Sequence, residues 1–175
     1  MSLKLEQLKK IVPYAGLRAG IFLGPLNAAM DEFGIDTPAR QAAFVAQIAH
    51  ESGSFRYVRE IASGQAYEGR RDLGNTEAGD GVRYKGRGLI QITGRANYHS
   101  CSLALYGDER LLSTPALLEE VGPACRSAAW FWKSRDLNSA ADNGAFRAIT
   151  KAINGGFNGY QDRLAYYERA QAVLA

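Results

Sequence analysis

The chain has 175 residues, 46% of them hydrophobic, enough for one domain with its own core and no second module. Its 21 Lys and Arg against 18 Asp and Glu leave a net charge of +3, a mild excess that favours polyanionic partners such as cell wall, membrane surface or nucleic acid without choosing among them. Cys101 and Cys125 stand in no metal-ligand or redox spacing, which excludes a disulfide scaffold and a structural zinc site and leaves two reduced, partly buried thiols. The first ten residues mix charge into every turn, unlike a secretory signal, and no run approaches the roughly 18 apolar residues that cross a bilayer. The expectation is a monomer that folds in the cytoplasm, without stable membrane insertion, and reaches any outside substrate by another route such as a membrane pore.

Taken in chain order, Leu5, Leu8 and Val12 share one helical face that Pro13 ends, and a second helix is expected to begin with Pro25 in its first turn and stop at Gly34. Thr37-Pro38 is a cap followed by proline. It opens a strongly apolar helix through Ala42, Ala43, Val45, Ala46, Ile48 and Ala49 that ends near Gly53 and should form the centre of the core. From Ser52 to Gly94 glycines are frequent and Leu89-Ile90-Gln91-Ile92-Thr93 is β-compatible, which predicts an irregular lobe with a small β-hairpin. Thr93 is placed to cap the next helix, through Tyr98, Cys101 and Leu105 to Gly107. Further helices are expected over 115–120, 124–133, 146–153 and 160–174. The reading is a single catalytic domain over 1–175, mainly α with a minor β part, without repeat, linker or separate wall-binding module.

Glu51, in His50-Glu51-Ser52-Gly53, falls at the C-terminal end of the apolar helix, where the helix dipole and partial burial both disfavour a charged carboxyl. A neutral carboxyl can give a proton to the leaving oxygen of a glycosidic bond; the alternative is a solvated residue on a fraying helix end. Glu60, nine positions on and beyond the Gly53 break, supplies the second carboxylate that glycosidases use as nucleophile or base. Glu68, Asp72, Glu77 and Asp80 compete with it, and spacing does not choose among them. In the stretch Tyr84 to Tyr98, glycines allow close backbone approach, while Gln91, Thr93 and Asn97 offer neutral donors and acceptors for sugar hydroxyls and N-acetyl groups. Tyr84 and Tyr98 add flat faces for sugar rings; alternatively, Thr93 only caps and Tyr98 only packs.

Three other motifs fail. His50-Glu51 begins like a zinc-protease HExxH, but Ser54 stands where the second histidine belongs, so no metal is expected. Gly86-Arg87-Gly88 opens like a dinucleotide loop, yet its third glycine position is Gln91, and no cofactor is implied. Arg83, Lys85, Arg87 and Arg95 cluster on a short glycine-rich segment rather than a helix face, which argues against a nucleic-acid partner.

Phe44-Val45-Ala46-Gln47-Ile48-Ala49-His50-Glu51-Ser52, the stretch Tyr84 to Tyr98, Ala129-Trp130-Phe131-Trp132 and Ile153-Asn154-Gly155-Gly156 together resemble the glycoside hydrolase family 19 chitinases, in order from about residue 40 to 165. The likeness is to their compact bacteriophage endolysin members. It implies a lysozyme-like, two-lobed α+β fold and inverting hydrolysis, with Glu51 as general acid, Glu60 as general base and Thr93 helping to hold the attacking water. By the same resemblance Gln91, Asn97, Asn154 and Arg163 fall at substrate-binding positions, with Arg163 alternatively pairing with a catalytic glutamate. The plant cysteine pattern is missing and the Glu51–Glu60 segment is short, so the cleft is expected to be open. An open cleft suits the branched glycan strands of peptidoglycan, cut between N-acetylmuramic acid and N-acetylglucosamine, better than bare chitin. A lytic transglycosylase and a non-catalytic wall-binding or lysis-accessory protein are the remaining alternatives.

Overall fold

A computed structural model describes residues 2–175. Among them the chain forms helices α1 (Leu5–Ile11), α2 (Arg18–Glu32), α3 (Pro38–Glu51), α4 (Asp80–Arg83), α5 (Arg95–Tyr106), α6 (Arg110–Ser113), α7 (Val121–Ser134), α8 (Leu137–Asp142), α9 (Phe146–Asn154) and α10 (Tyr160–Leu174), with short 3-10 turns between some of them.

Helix α3 is the axis of the fold. The Thr37 hydroxyl accepts from the Arg40 amide and Pro38 occupies the first helical position, where its missing N–H costs nothing. Every residue from Gln41 to Ala49 is buried, so the helix is enclosed on all sides. Its small alanines let α10 pack closely along it, while Trp132 of α7 meets Phe44 edge-on at 5.3 Å and donates from its indole N–H to Asn138. Helix α2 packs on α7, and α1 bridges α2 and α10. A second, smaller cluster gathers Tyr84, Ile92, Tyr98, Cys101, Leu105, Leu111 and Leu118 around α5.

Several boundaries differ from the sequence expectation. Helix α2 begins at Arg18 and carries Pro25 in its interior. The carbonyl that loses its partner there belongs to Ile21, a residue on the solvent side, where water can serve it. Helix α5 is capped by a distant side chain: Asn75 Oδ1 accepts from the Arg95 amide at 2.8 Å, and Gly94 rather than Thr93 holds the cap position.

The expected β-hairpin is not formed. Only isolated bridges pair Arg87 with Arg59 and with Ile92. Leu89 and Ile90 are consecutive and both buried, a pattern that does not fit a hairpin strand with one side open to water. Gly88 turns there with φ +97°, and a side chain would run into Ser127 Oγ of α7. The segment is a loop pinned to helices, so among the described residues the fold is mainly α without a β lobe.

Candidate active site

Glu51 is the last residue of α3, and its carboxylate meets a buried cation. Arg163, in the first turn of α10 and 1% exposed, places Nη2 2.6 Å from Glu51 Oε1. The same guanidinium donates from Nη1 to Gln47 Oε1 (2.7 Å) and from Nε to the Asn158 carbonyl (3.1 Å). Gln47 in turn donates to Thr150 Oγ1 at 2.8 Å. Glu51, Gln47, Arg163 and Thr150 thus join α3, α9 and α10 in one hydrogen-bonded network, which Thr150 closes by donating to the Phe146 carbonyl. Arg163 thus pairs with Glu51, the alternative the resemblance offered, and its enclosed guanidinium does not reach the surface for the direct substrate contact expected of it.

Asn154 ends α9 nearby and accepts from the Asn158 amide, on the loop whose carbonyl holds Arg163. Its half-buried side chain keeps its amide N–H groups for other partners. His50 bonds through Nδ1 to Asp162 at 2.7 Å and packs on Gly159, where a side chain would collide with the ring.

After Glu51 the chain reverses through Gly53, Ser54 and Phe55, all with positive φ (57°, 60° and 63°). Two of these are not glycine, and such a conformation costs about 1–2 kcal/mol per residue. The surroundings impose it: Ser52 Oγ accepts from the Phe55 amide, Ser54 Oγ bonds Tyr166, and Phe55 stacks on Phe22 at 5.2 Å. The turn lets only eight residues separate Glu51 from Glu60.

The Glu60 amide donates to the Gly86 carbonyl, and Tyr67 donates its hydroxyl to Glu60 Oε2 at 3.0 Å. Glu60 Oε1 is buried without a hydrogen-bond partner in the protein. The competing carboxylates are all engaged. Glu68 accepts from the amides of Gly79 and Gly81, Asp72 pairs with Arg70, and Glu77 and Asp80 both pair with Arg95. Of this set only Glu60 keeps a buried oxygen without a protein partner.

Gly86 joins Glu60 to the polar stretch. A side chain there would come 3.0 Å from Glu60 Oε2 and collide with Gln91 Oε1, so carboxylate and amide adjoin across a bare backbone. Gln91, Thr93 and Asn97 then line a small cleft with Trp130, Phe131 and Arg135. On the other side, Tyr57, Arg59, Glu60, Ile61 and Lys85 line an open groove of about 370 Å³.

Tyr84 and Tyr98 do not offer faces to a ligand. Both are buried and tilted against each other at 5.2 Å, with Tyr84 donating to the Leu112 carbonyl and Tyr98 to that of Lys85. Tyr84 is a packing residue because its ring fills the smaller core. Sequence reasoning gave no role to Tyr67, Thr150 or Arg135, and Trp130 entered only as part of a motif. Thr150 meets Gln47 103 residues away, and Tyr67 reaches Glu60 seven residues back around an irregular turn, so no helical or strand spacing marks either.

No protein-family model matches the chain. It is 29% identical over 189 residues to a glycosyl hydrolase family 19 domain-containing protein of Haemophilus influenzae, covering 90% of each. It is 38% identical over 132 residues to an endochitinase of Arabidopsis thaliana, covering 72% of this chain and 44% of the relative, so it spans less than half of that plant enzyme. The crystal structure of a bacterial family 19 chitinase superposes with a TM-score of 0.81 at 24% identity, over 98% of this chain and 94% of the other, and establishes a common fold. Kinship over nine-tenths of the chain to a protein carrying that domain, and over most of it to a plant endochitinase, places this chain in glycoside hydrolase family 19.

Proposed function

We propose that this glycoside hydrolase is an endolysin-type enzyme, of phage or prophage origin, that cuts the β-1,4 bond between N-acetylmuramic acid and N-acetylglucosamine in peptidoglycan by an inverting acid–base mechanism. Glu51 protonates the leaving glycosidic oxygen. Glu60 takes a proton from a water molecule, which attacks the anomeric carbon from the opposite face; Thr93 helps hold that water. One bond to the sugar forms as the other breaks, and the two carboxyl groups end with their protonation exchanged. Gln91, Asn97 and Asn154 supply hydrogen bonds to hydroxyl and N-acetyl groups. The observation that carries this reading is the uncommitted Glu60 Oε1, a buried acceptor beside a groove, in a segment where every other carboxylate is engaged.

Peptidoglycan is favoured over chitin by charge. Arg59 and Lys85 border the Glu60 groove, and lactyl and peptide carboxylates can meet them where a bare chitin chain offers none. The short Glu51–Glu60 connection also leaves room for a branched strand. Cleavage of chitin is the second reading, favoured by the likeness to a plant endochitinase.

Digestion of purified peptidoglycan and of chitin oligomers side by side, with product masses and anomeric configuration measured, tests both. Glu51→Gln and Glu60→Gln should each lower the rate by on the order of 10²–10⁴, with the fold retained. Near-normal cleavage by either variant defeats its assigned role. Anhydro products would instead identify a lytic transglycosylase, and wall binding without soluble fragments an accessory protein.

A further inference from the structure

Among the described residues, three of the eight exposed large apolar side chains are gathered in one place. Tyr14, Leu17 and Ile21 are 78%, 91% and 57% exposed and fall within eight residues, at the Pro13–Ala15 turn and the start of α2. Leu17 and Ile21 are one helical turn apart on the same side. Beside them runs an open groove of about 520 Å³ between α1 and α2, lined by Leu5, Lys9, Pro13, Gly16, Leu17 and Gly20. At Gly16, Gly20 and Gly24 nothing lies within 4 Å of where a side chain would begin, so bare backbone faces open space there.

Charge is gathered in the same place. Residues 1–24 hold Lys4, Lys9, Lys10 and Arg18 against the single acid Glu6, which accounts for the whole net charge of +3; beyond residue 24, 17 basic residues face 17 acidic ones. Lys4, Lys9 and Lys10 are all exposed, and the one ion pair among them, Lys9 with Glu6, is long (3.8 Å) and open to water. Arg18 is tied to the carbonyls of Tyr14 and Ser54, and so fixes the apolar turn against the body of the protein.

We propose that this face docks the enzyme on an anionic lipid surface, with Tyr14, Leu17 and Ile21 entering the headgroup layer and Lys4, Lys9 and Lys10 set against lipid phosphates. Basic residues flanking an aromatic and two aliphatic side chains are what an interfacial site requires. An acidic glycan would satisfy the lysines but leave three large apolar groups in water, and a second copy of the chain would set positive charge against positive charge. Among the described residues no helix is long and apolar enough to cross a membrane, so the association is peripheral.

The test is co-sedimentation of the intact protein with vesicles of phosphatidylglycerol mixed into phosphatidylcholine, and with vesicles of phosphatidylcholine alone. Binding should favour the anionic vesicles and fall with added salt. Lys9→Gln with Lys10→Gln should weaken it by roughly ten-fold or more, and Leu17→Ser with Ile21→Ser by about ten-fold or more. Both variants should cleave soluble glycan fragments at the normal rate. Because Leu17 is almost fully exposed, Leu17→Gln alone serves if the double variant folds poorly, and it should weaken binding in the same direction. The proposal is overturned if anionic vesicles are not bound, or if the serine variant binds them as tightly as the parent. It is also overturned if light scattering finds a dimer that this variant dissolves, or if the lysine variant loses only binding to peptidoglycan.

Discussion

Arg163 and Gly86 show how single residues set the site. The Arg163 guanidinium has partners on α3, the 155–159 loop and Glu51 itself, and no exposure to water. Arg163→Met removes the cation but keeps much of the bulk, leaving Gln47 Oε1 and the Asn158 carbonyl without their donor. Loss of one partner from a buried ion pair costs about 3–5 kcal/mol, and urea denaturation should show a fall of that order. The same variant should lose turnover more than substrate affinity, because Glu51 is then held by the end of its helix alone. Gly86 makes the opposite case. Its backbone would accept alanine, and the obstructing atoms are the tips of the Glu60 and Gln91 side chains. Gly86→Ala should therefore fold normally yet lower the rate by on the order of 10²-fold, through displacement of the base by part of an ångström. Normal kinetics for this variant would show that Glu60 is not tightly positioned.

At the scale of elements, the decisive features are connections between segments distant in sequence. Asn75 is fully buried and holds two of them, donating to the Tyr67 carbonyl and accepting from the Arg95 amide. It thereby ties the turn that carries Tyr67, the partner of Glu60, to the N-terminus of α5. Asn75→Ala should cost about 1–2 kcal/mol in thermal or chemical unfolding, as for loss of a helix cap. It should also reduce activity without any contact to substrate; an unchanged rate would separate the cap from the site. The left-handed turn at Gly53, Ser54 and Phe55 belongs to the same scale. Gly53 is visible in the sequence as a helix stop, but two strained non-glycine residues after it are not, because the forces that hold them come from Phe22, Tyr166 and Arg18.

Over the whole molecule, stability toward acid should follow the Asp80–Arg95 pair. Asp80 is buried, and the guanidinium of Arg95 holds its carboxyl below the usual range against the opposing effect of burial. A carboxylate whose folded pKa is depressed stabilises the protein fully above its unfolded value, about 3.9, and progressively less as pH falls through the folded value. Thermal unfolding should thus show a loss of stability beginning near pH 4 and deepening below it, and Asp80→Asn should abolish that component while lowering stability at pH 7. A stability curve for Asp80→Asn parallel to the parent in this range would exclude the pair as its cause. Cys101 and Cys125 are both fully buried, deeper than expected from the sequence, and burial pushes their thiols up to about 12.

Signals within the chain suffice for the α3 helix, with its Thr37 cap and continuous apolar run, the stops at Gly34 and Gly107, the placement of Glu51 at a helix end, and the family. These are local signals: caps, prolines and 3.6-residue periodicity act over one or two turns, and ordered motifs survive whatever the contacts. Long-range packing settles that Leu89-Ile90 enters the core instead of forming a strand, that Tyr84 packs, that Arg163 faces Glu51, and that Glu60 alone among five carboxylates keeps a buried oxygen without a partner. Each of those outcomes depends on which cation, carbonyl or ring arrives from elsewhere in the chain. The cation that holds Glu51 comes from the far end of the chain, and no spacing within the Glu51 segment encodes it.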